Sequence, residues 1–148
     1  MSAVEYFEAV RRDSVALRGY LSAIEDIESG EVNVSGGGES VHVSGGDVSS
    51  PVESELMARV RMLDKLRESR DAALQSIGDA LVVLDGVRAA LGDSYADSVE
   101  LHYIECETWE RVAAALGVSA ITCKRWRTRA FEWLDSQPTA YVVGLRGL

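Results

Sequence analysis

Between Val52 and Leu91, the residues Leu56, Val60, Leu63, Leu74, Ile77, Leu81, Leu84 and Leu91 fall in one heptad register. That spacing predicts a helix of about 40 residues rising about 60 Å. A surface helix of such length needs a coiled-coil partner. Upstream, Phe7, Val10, Leu17, Leu21 and Ile24 repeat at 3-4 spacing, with Ser14 as the one polar member, and predict an amphipathic helix from Ala3 to about Glu28. Residues 29–51 lie between them and hold six of the chain's 13 glycines among Ser, Val and acids, a composition for a flexible loop that at most alternates as weak strands. Pro51, with Ser50 as N-cap, opens the second helix. The expectation is a long antiparallel, coiled-coil-like hairpin over residues 1–92. Its unmatched length is left for a second copy of the chain or for the C-terminal module, so a homodimer through the hairpin is expected. The plain reading of this half is a stalk that spaces or dimerises. Arg67, Arg70 and Arg88 stand at seam positions, where they are expected to snorkel or to pair with flanking acids such as Asp71.

Gly92-Asp93 breaks the helix, and a short helix from about Ser94 to Ile104 presents Tyr95, Val99, Leu101 and Tyr103 as apolar contacts. Residues 107–134 carry more information. Thr108 can cap a helix with Trp109, Val112, Ala113 and Leu116 on one face; Gly117 supplies its permissive C-terminal position, and Ser119 caps the next helix. Two capped helices across a turn of about three residues have the spacing of a helix-turn-helix unit, in which the second helix enters the major groove. Ala113, four before Gly117, leaves room for the second helix to approach. At about 100° per residue, Cys123, Trp126, Ala130 and Leu134 fall on the inward face, with Ile121, Lys124, Arg125, Thr128 and Arg129 opposite. Ala120 or Ile121 can touch a thymine methyl, and Lys124 and Arg125 can reach guanine edges or phosphates. Ser119, at the mouth of the helix, completes the candidate DNA-binding set. Arg127 falls near the inward face and reads as a phosphate contact or a snorkelling rim residue. The alternative is an ordinary pair of helices with a solvated basic face.

Charge separates these two parts. The chain has 15 Lys+Arg against 24 Asp+Glu, a net charge of −9 that argues against a general polyanion binder. Residues 1–98 carry 18 acids and nine bases, whereas residues 99–148 carry six of each. Within the neutral part, residues 119–131 hold Lys124, Arg125, Arg127 and Arg129 and no acid. The acidity therefore limits how a nucleic acid would be bound, not whether.

The stretch from Leu101 to Leu134, LHYIECETWERVAAALGVSAITCKRWRTRAFEWL, resembles the promoter-recognising region 4 of sigma-70-type RNA polymerase sigma factors. Leu101, Tyr103, Glu105, Thr108, Val112, Ala113, Leu116, Gly117, Val118, Ser119 and Thr122 match that pattern, while Cys123 replaces the usual Val and Arg127 stands where an apolar residue is usual. The whole arrangement is similar to small phage and prophage proteins of Gram-positive bacteria, and to the ArpU and RinA types of late-gene transcriptional regulator. Tyr103, Ile104, Trp109, Glu110, Val112 and Ala113 carry that likeness. The resemblance implies an all-α protein with a sigma-like helix-turn-helix over 93–137, a tail at 138–148, and a role in regulating phage or prophage transcription. Residues 1–98 as patterned leave no room for the sigma segment that melts promoter DNA, so an autonomous sigma factor is not expected.

Duplex DNA is thus the expected partner, with RNA polymerase a possible second one. A small terminase subunit and a polymerase-binding adaptor are the rival readings. No metal, cofactor or catalytic constellation is expected: Cys106, Cys123, His42 and His102 lack ligand spacing, and the glycine-rich loop lacks the Lys-Ser/Thr of a phosphate-binding loop. Cys123 reads as a small core side chain and Cys106 as a turn residue. No apolar run approaches the ~18–20 residues that span a bilayer, and the start MSAVEYFEAVRRD lacks the apolar core of an export signal, so a non-membrane protein of the bacterial cytoplasm is expected.

Overall fold

A computed structural model describes residues 1–30 and 51–137. The loop expected over 29–51 and the tail at 138–148 lie almost wholly outside the described residues. Every regular element among the described residues is helical: α1 (Ala3–Glu28), α2 (Pro51–Leu91), α3 (Asp93–Val99), a π-helical turn (Glu100–Ile104), α4 (Trp109–Leu116) and α5 (Ala120–Ser136). No described helix is long and apolar enough to cross a membrane. The expected short helix thus starts as α-helix and ends as a π turn, with Glu105 N–H donating to the Glu100 carbonyl at 3.0 Å.

The chain divides into two compact units, Met1–Ala16 with Ala73–Leu148, and Leu17–Ala72. Helices α1 and α2 contribute to both. The first unit holds the main core. Ala3, Tyr6, Phe7 and Val10 of α1 pack with Ala80, Val83, Leu84 and Val87 of α2, with Ala96, Val99 and Tyr103, and with Ala130, Phe131 and Leu134 of α5. Phe7 is its hub, stacked on Phe131 at 5.4 Å between ring centroids and edge-on to Tyr6 and Tyr103 at 5.1 and 6.0 Å. At the start of α1, Ser2 Oγ accepts from Glu5 N–H and Asp135 Oδ1 accepts from Ala3 N–H at 2.8 Å, so two of the helix's orphan donors are satisfied. At the end of α2, Arg88 reaches Asp93 (3.1 Å), Asp97 (2.9 Å) and Glu100 (3.5 Å). Its hydrogen bonds to Asp97 and Asp93 hold its protonated form still more firmly than usual, and burial raises the Glu100 carboxyl above its ordinary range. Gly92, at φ 114°, supplies the left-handed bend between α2 and α3 that the Gly92-Asp93 break implies.

In the second unit the described buried side chains are Ile24 and Ile27 alone. Glu28 there pairs with Arg67, and Arg70 with Asp71 at 3.0 Å, so the seam arginines do find acids.

The buried stripe of α2 differs from the leucine register. Ala73, Ser76, Ala80, Val83, Leu84 and Val87 face inward, whereas Leu74 is 49% and Leu81 39% exposed; on α1, Leu21 is 47% exposed while Ile27 is buried. Small side chains let helices approach closely, and that turns the Ala/Ser/Val face of α2 inward and rolls the larger leucines to its flank. Phe7→Ala should therefore cost about 3–5 kcal/mol and Leu84→Ala about 2–5 kcal/mol in chemical denaturation, against less than about 0.5 kcal/mol for Leu74→Ala. Equal losses at Leu84 and Leu74 would restore the leucine register.

Candidate nucleic-acid interface

The candidate surface is built by α4, α5 and the three residues between them. Thr108 Oγ1 accepts from Arg111 N–H at 3.2 Å and starts α4. Gly117 ends it at φ 71°, ψ 30°, a left-handed geometry that costs Gly little, and Val118 N–H returns to the Ala113 carbonyl at 3.1 Å. Ser119 then caps α5, its Oγ accepting from Thr122 N–H at 3.2 Å. Thr108, Gly117 and Ser119 each do what the spacing predicts. Val112, Ala113 and Cys123 form a small core at this junction, with Leu101, Trp109, Leu116, Val118 and Ala120 around it. Burial pushes the Cys123 thiol upward, as suits an inert core side chain.

Beyond the junction, α5 lies with Ala130, Phe131 and Leu134 in the main core and Trp126 half-buried against Tyr95. Its opposite face carries a shallow groove of about 290 Å³ lined by Ile121, Lys124, Arg125, Thr128, Arg129 and Glu132. Five of the seven sequence-predicted site residues are brought together there. Ile121 is 62% exposed and stands among the cations of the groove. Lys124, Arg125 and Arg129 are exposed and make no ion pair among the described residues. Thr128 donates its hydroxyl to the Lys124 carbonyl at 2.9 Å, leaving only its oxygen lone pairs for a ligand.

Two predicted residues stand apart from the groove. Ser119 is exposed but spends its Oγ on the cap, and Ala120 turns inward onto the small core, because the first helical position after the cap points toward α4. Glu132 is a lining residue the sequence reading omitted; its place one turn beyond Thr128 and Arg129 was the available signal. Phe131 was likewise missed as a core residue.

Arg127 belongs to the interior side. Its guanidinium lies 5.1 Å over the Trp109 ring and Nη1 donates to Tyr103 Oη at 3.2 Å. His102 stacks on the same indole at 4.0 Å and 15°, and its Nδ1 donates to the Glu107 carbonyl at 2.8 Å, while its own carbonyl accepts from Arg11 Nε at 3.2 Å. This assembly fixes the start of α4 against α5. Cys106 forms the turn before it at φ 61°, a left-handed conformation rare for a side chain-bearing residue, with Sγ 3.7 Å from the Ile104 carbonyl. No groups of His, Cys, Asp and Glu that could hold a metal occur among the described residues.

Comparison with protein-family models, curated proteins and solved structures finds no match to the chain. The chemistry of the surface therefore has to carry its functional reading.

Burial lowers the His102 pKa, helped by the nearby Arg11 and Arg127 and opposed by the bond to the Glu107 carbonyl. The folded state thus holds His102 neutral while the unfolded chain takes up a proton near its ordinary value of about 6.5. The stability this gives is present above that pH and is lost as pH falls through it toward the lower folded value. Glu100, with its raised value, acts in the opposite sense at lower pH, so the two are separated by substitution. A His102→Asn variant should flatten the fall in stability just below about pH 6.5, measured by denaturation across that range. An unchanged slope would remove His102 from the account.

Proposed function

We propose that the chain is a sequence-specific duplex-DNA-binding regulator of the phage or prophage type, with α4 and α5 as a helix-turn-helix and α5 as its recognition helix. One observation carries the reading: Lys124, Arg125 and Arg129 stand exposed around an exposed Ile121 and make no ion pair among the described residues, on the outward face of a helix capped at a three-residue junction. In a major groove the same set has work for every member. Ile121 meets a thymine methyl, Arg125 and Lys124 reach guanine edges or phosphates, and Arg129 lies where a phosphate contact sets register. The sigma-like spacing from Leu101 to Thr122 supports the same assignment.

The long helices fit a supporting role as an antiparallel hairpin. In one unit the first turns of α1 pack with the last turns of α2, and in the other the last residue of α1 pairs with Arg67. The polymerase is a candidate second partner for this acidic half, as in regulators that act at promoters.

Duplex DNA selected from a random pool, and fragments from upstream of the gene, provide the test. Binding should fall steeply with salt, and Lys124→Ala and Arg125→Ala should each make the log–log salt slope shallower by about 1 if the residue meets a phosphate, or relax selectivity at one base pair at a cost of about 1–3 kcal/mol if it reads a base. Arg127→Lys, by contrast, should change stability more than the salt slope, because its guanidinium is already engaged. Unaltered DNA binding by the Lys124→Ala/Arg125→Ala double variant would remove α5 as the reader.

A further inference from the structure

We infer that the first four turns of α2 form a parallel, in-register coiled-coil seam with a second copy of this chain. The inference deepens the dimer expected of the hairpin and does not rest on DNA binding. Among the described residues of the unit Leu17–Ala72, Ile24 and Ile27 are the only buried side chains. Over the same stretch, Val52, Leu56, Met57 and Val60 are each more than half exposed. Helices owe most of their stability to burial of an apolar face, and no described residue covers this one, so association through it would add stability.

Heptad spacing and charge both select the occupant. Leu56 and Leu63 take d positions and Val60 the a position between them, the minimal knobs of a two-stranded seam. The same register puts Arg59 at g and Asp64 at e, five residues apart. In a parallel pair, g of one helix meets e of the next heptad on the other, so Arg59 of each copy faces Asp64 of its mate. Neither Arg59 nor Asp64 makes an ion pair among the described residues, so each charge is left for the other copy to match. An antiparallel pairing centred on these turns would instead set Arg59 against its own counterpart. One heptad further on, Arg67 and Arg70 occupy a and d, and their partners are Glu28 and Asp71 within the chain. The seam therefore closes before them and is confined to Val52–Leu66.

Sedimentation velocity on the full chain tests this. The wild type should be a dimer, and Val60→Asp should shift it to monomer, with any loss of far-UV circular dichroism confined to the share of the first turns of α2, because the main core holds no residue of that stretch. Charge exchange tests the register independently: Arg59→Glu and Asp64→Arg should each weaken dimerisation by about three-fold or more, and the two together should restore it. A monomeric wild type would overturn the proposal. A dimer indifferent to Val60→Asp, or one that the double exchange fails to restore, would overturn the parallel seam.

Discussion

The stack of Phe7 on Phe131 joins the beginning of the chain to the inner face of α5. Around it, Tyr6, Tyr103 and the Ala/Val face of α2 complete a core to which helices distant in sequence all contribute. Fully buried aromatic side chains supply large apolar area and a preferred geometry, so this contact both stabilises the unit and fixes the roll of α5 about its axis. Roll decides which residues face outward. With Phe131, Ala130 and Leu134 held inside, Ile121, Arg125, Thr128 and Arg129 have no choice but to face solvent.

A second restraint acts one turn earlier on the same helix. Trp109, the first residue of α4, is held between the His102 ring and the Arg127 guanidinium, and Arg127 in turn holds the Tyr103 hydroxyl. His102 and Tyr103, both in the π turn, each meet the Trp109 ring. Tyr103 meets Phe7 and Phe131 as well, so the junction between α4 and α5 and the main core share a side chain. The geometry of the basic face is thereby set by buried aromatics and owes little to the exposed ion pair between Arg111 and Glu107.

Local signals in the sequence proved easier to read than packing. The limits of α1 and α2, the break at Gly92, and the caps at Thr108, Gly117 and Ser119 all follow from residue types whose backbone preferences act on their immediate neighbours. Five members of the basic face were legible for the same reason, since a helical wheel needs only the helix. The inward stripe of α2 was not, because two faces of that helix are apolar and periodicity cannot say which one another helix will take. Leucine size drew the reading to Leu74 and Leu81, whereas close approach favoured Ala73, Ser76 and Ala80. Ala120 and Arg127 were misjudged or left open on similar grounds: their positions depend on Trp109, Tyr103 and the small core at the junction, which a single wheel does not contain.

Arg127 also changes the electrostatic argument. Four cations stand between residues 119 and 131, but one is committed to Trp109 and Tyr103, and Glu132 adds a negative charge to the groove. Under the proposed function, three outward cations on a chain of net charge −9 would make α5 a weak reader taken singly. The acidity elsewhere is felt mainly within the screening length of about 8 Å at physiological salt, so it suppresses indiscriminate contact more than it opposes a docked α5. A weak reader gains most from being doubled, because a second tethered copy binds at the effective concentration its linkage imposes. The described residues of Leu17–Ala72 bury only Ile24 and Ile27, and the outward face of α5 carries only three cations; the proposed self-association through α2 would strengthen both.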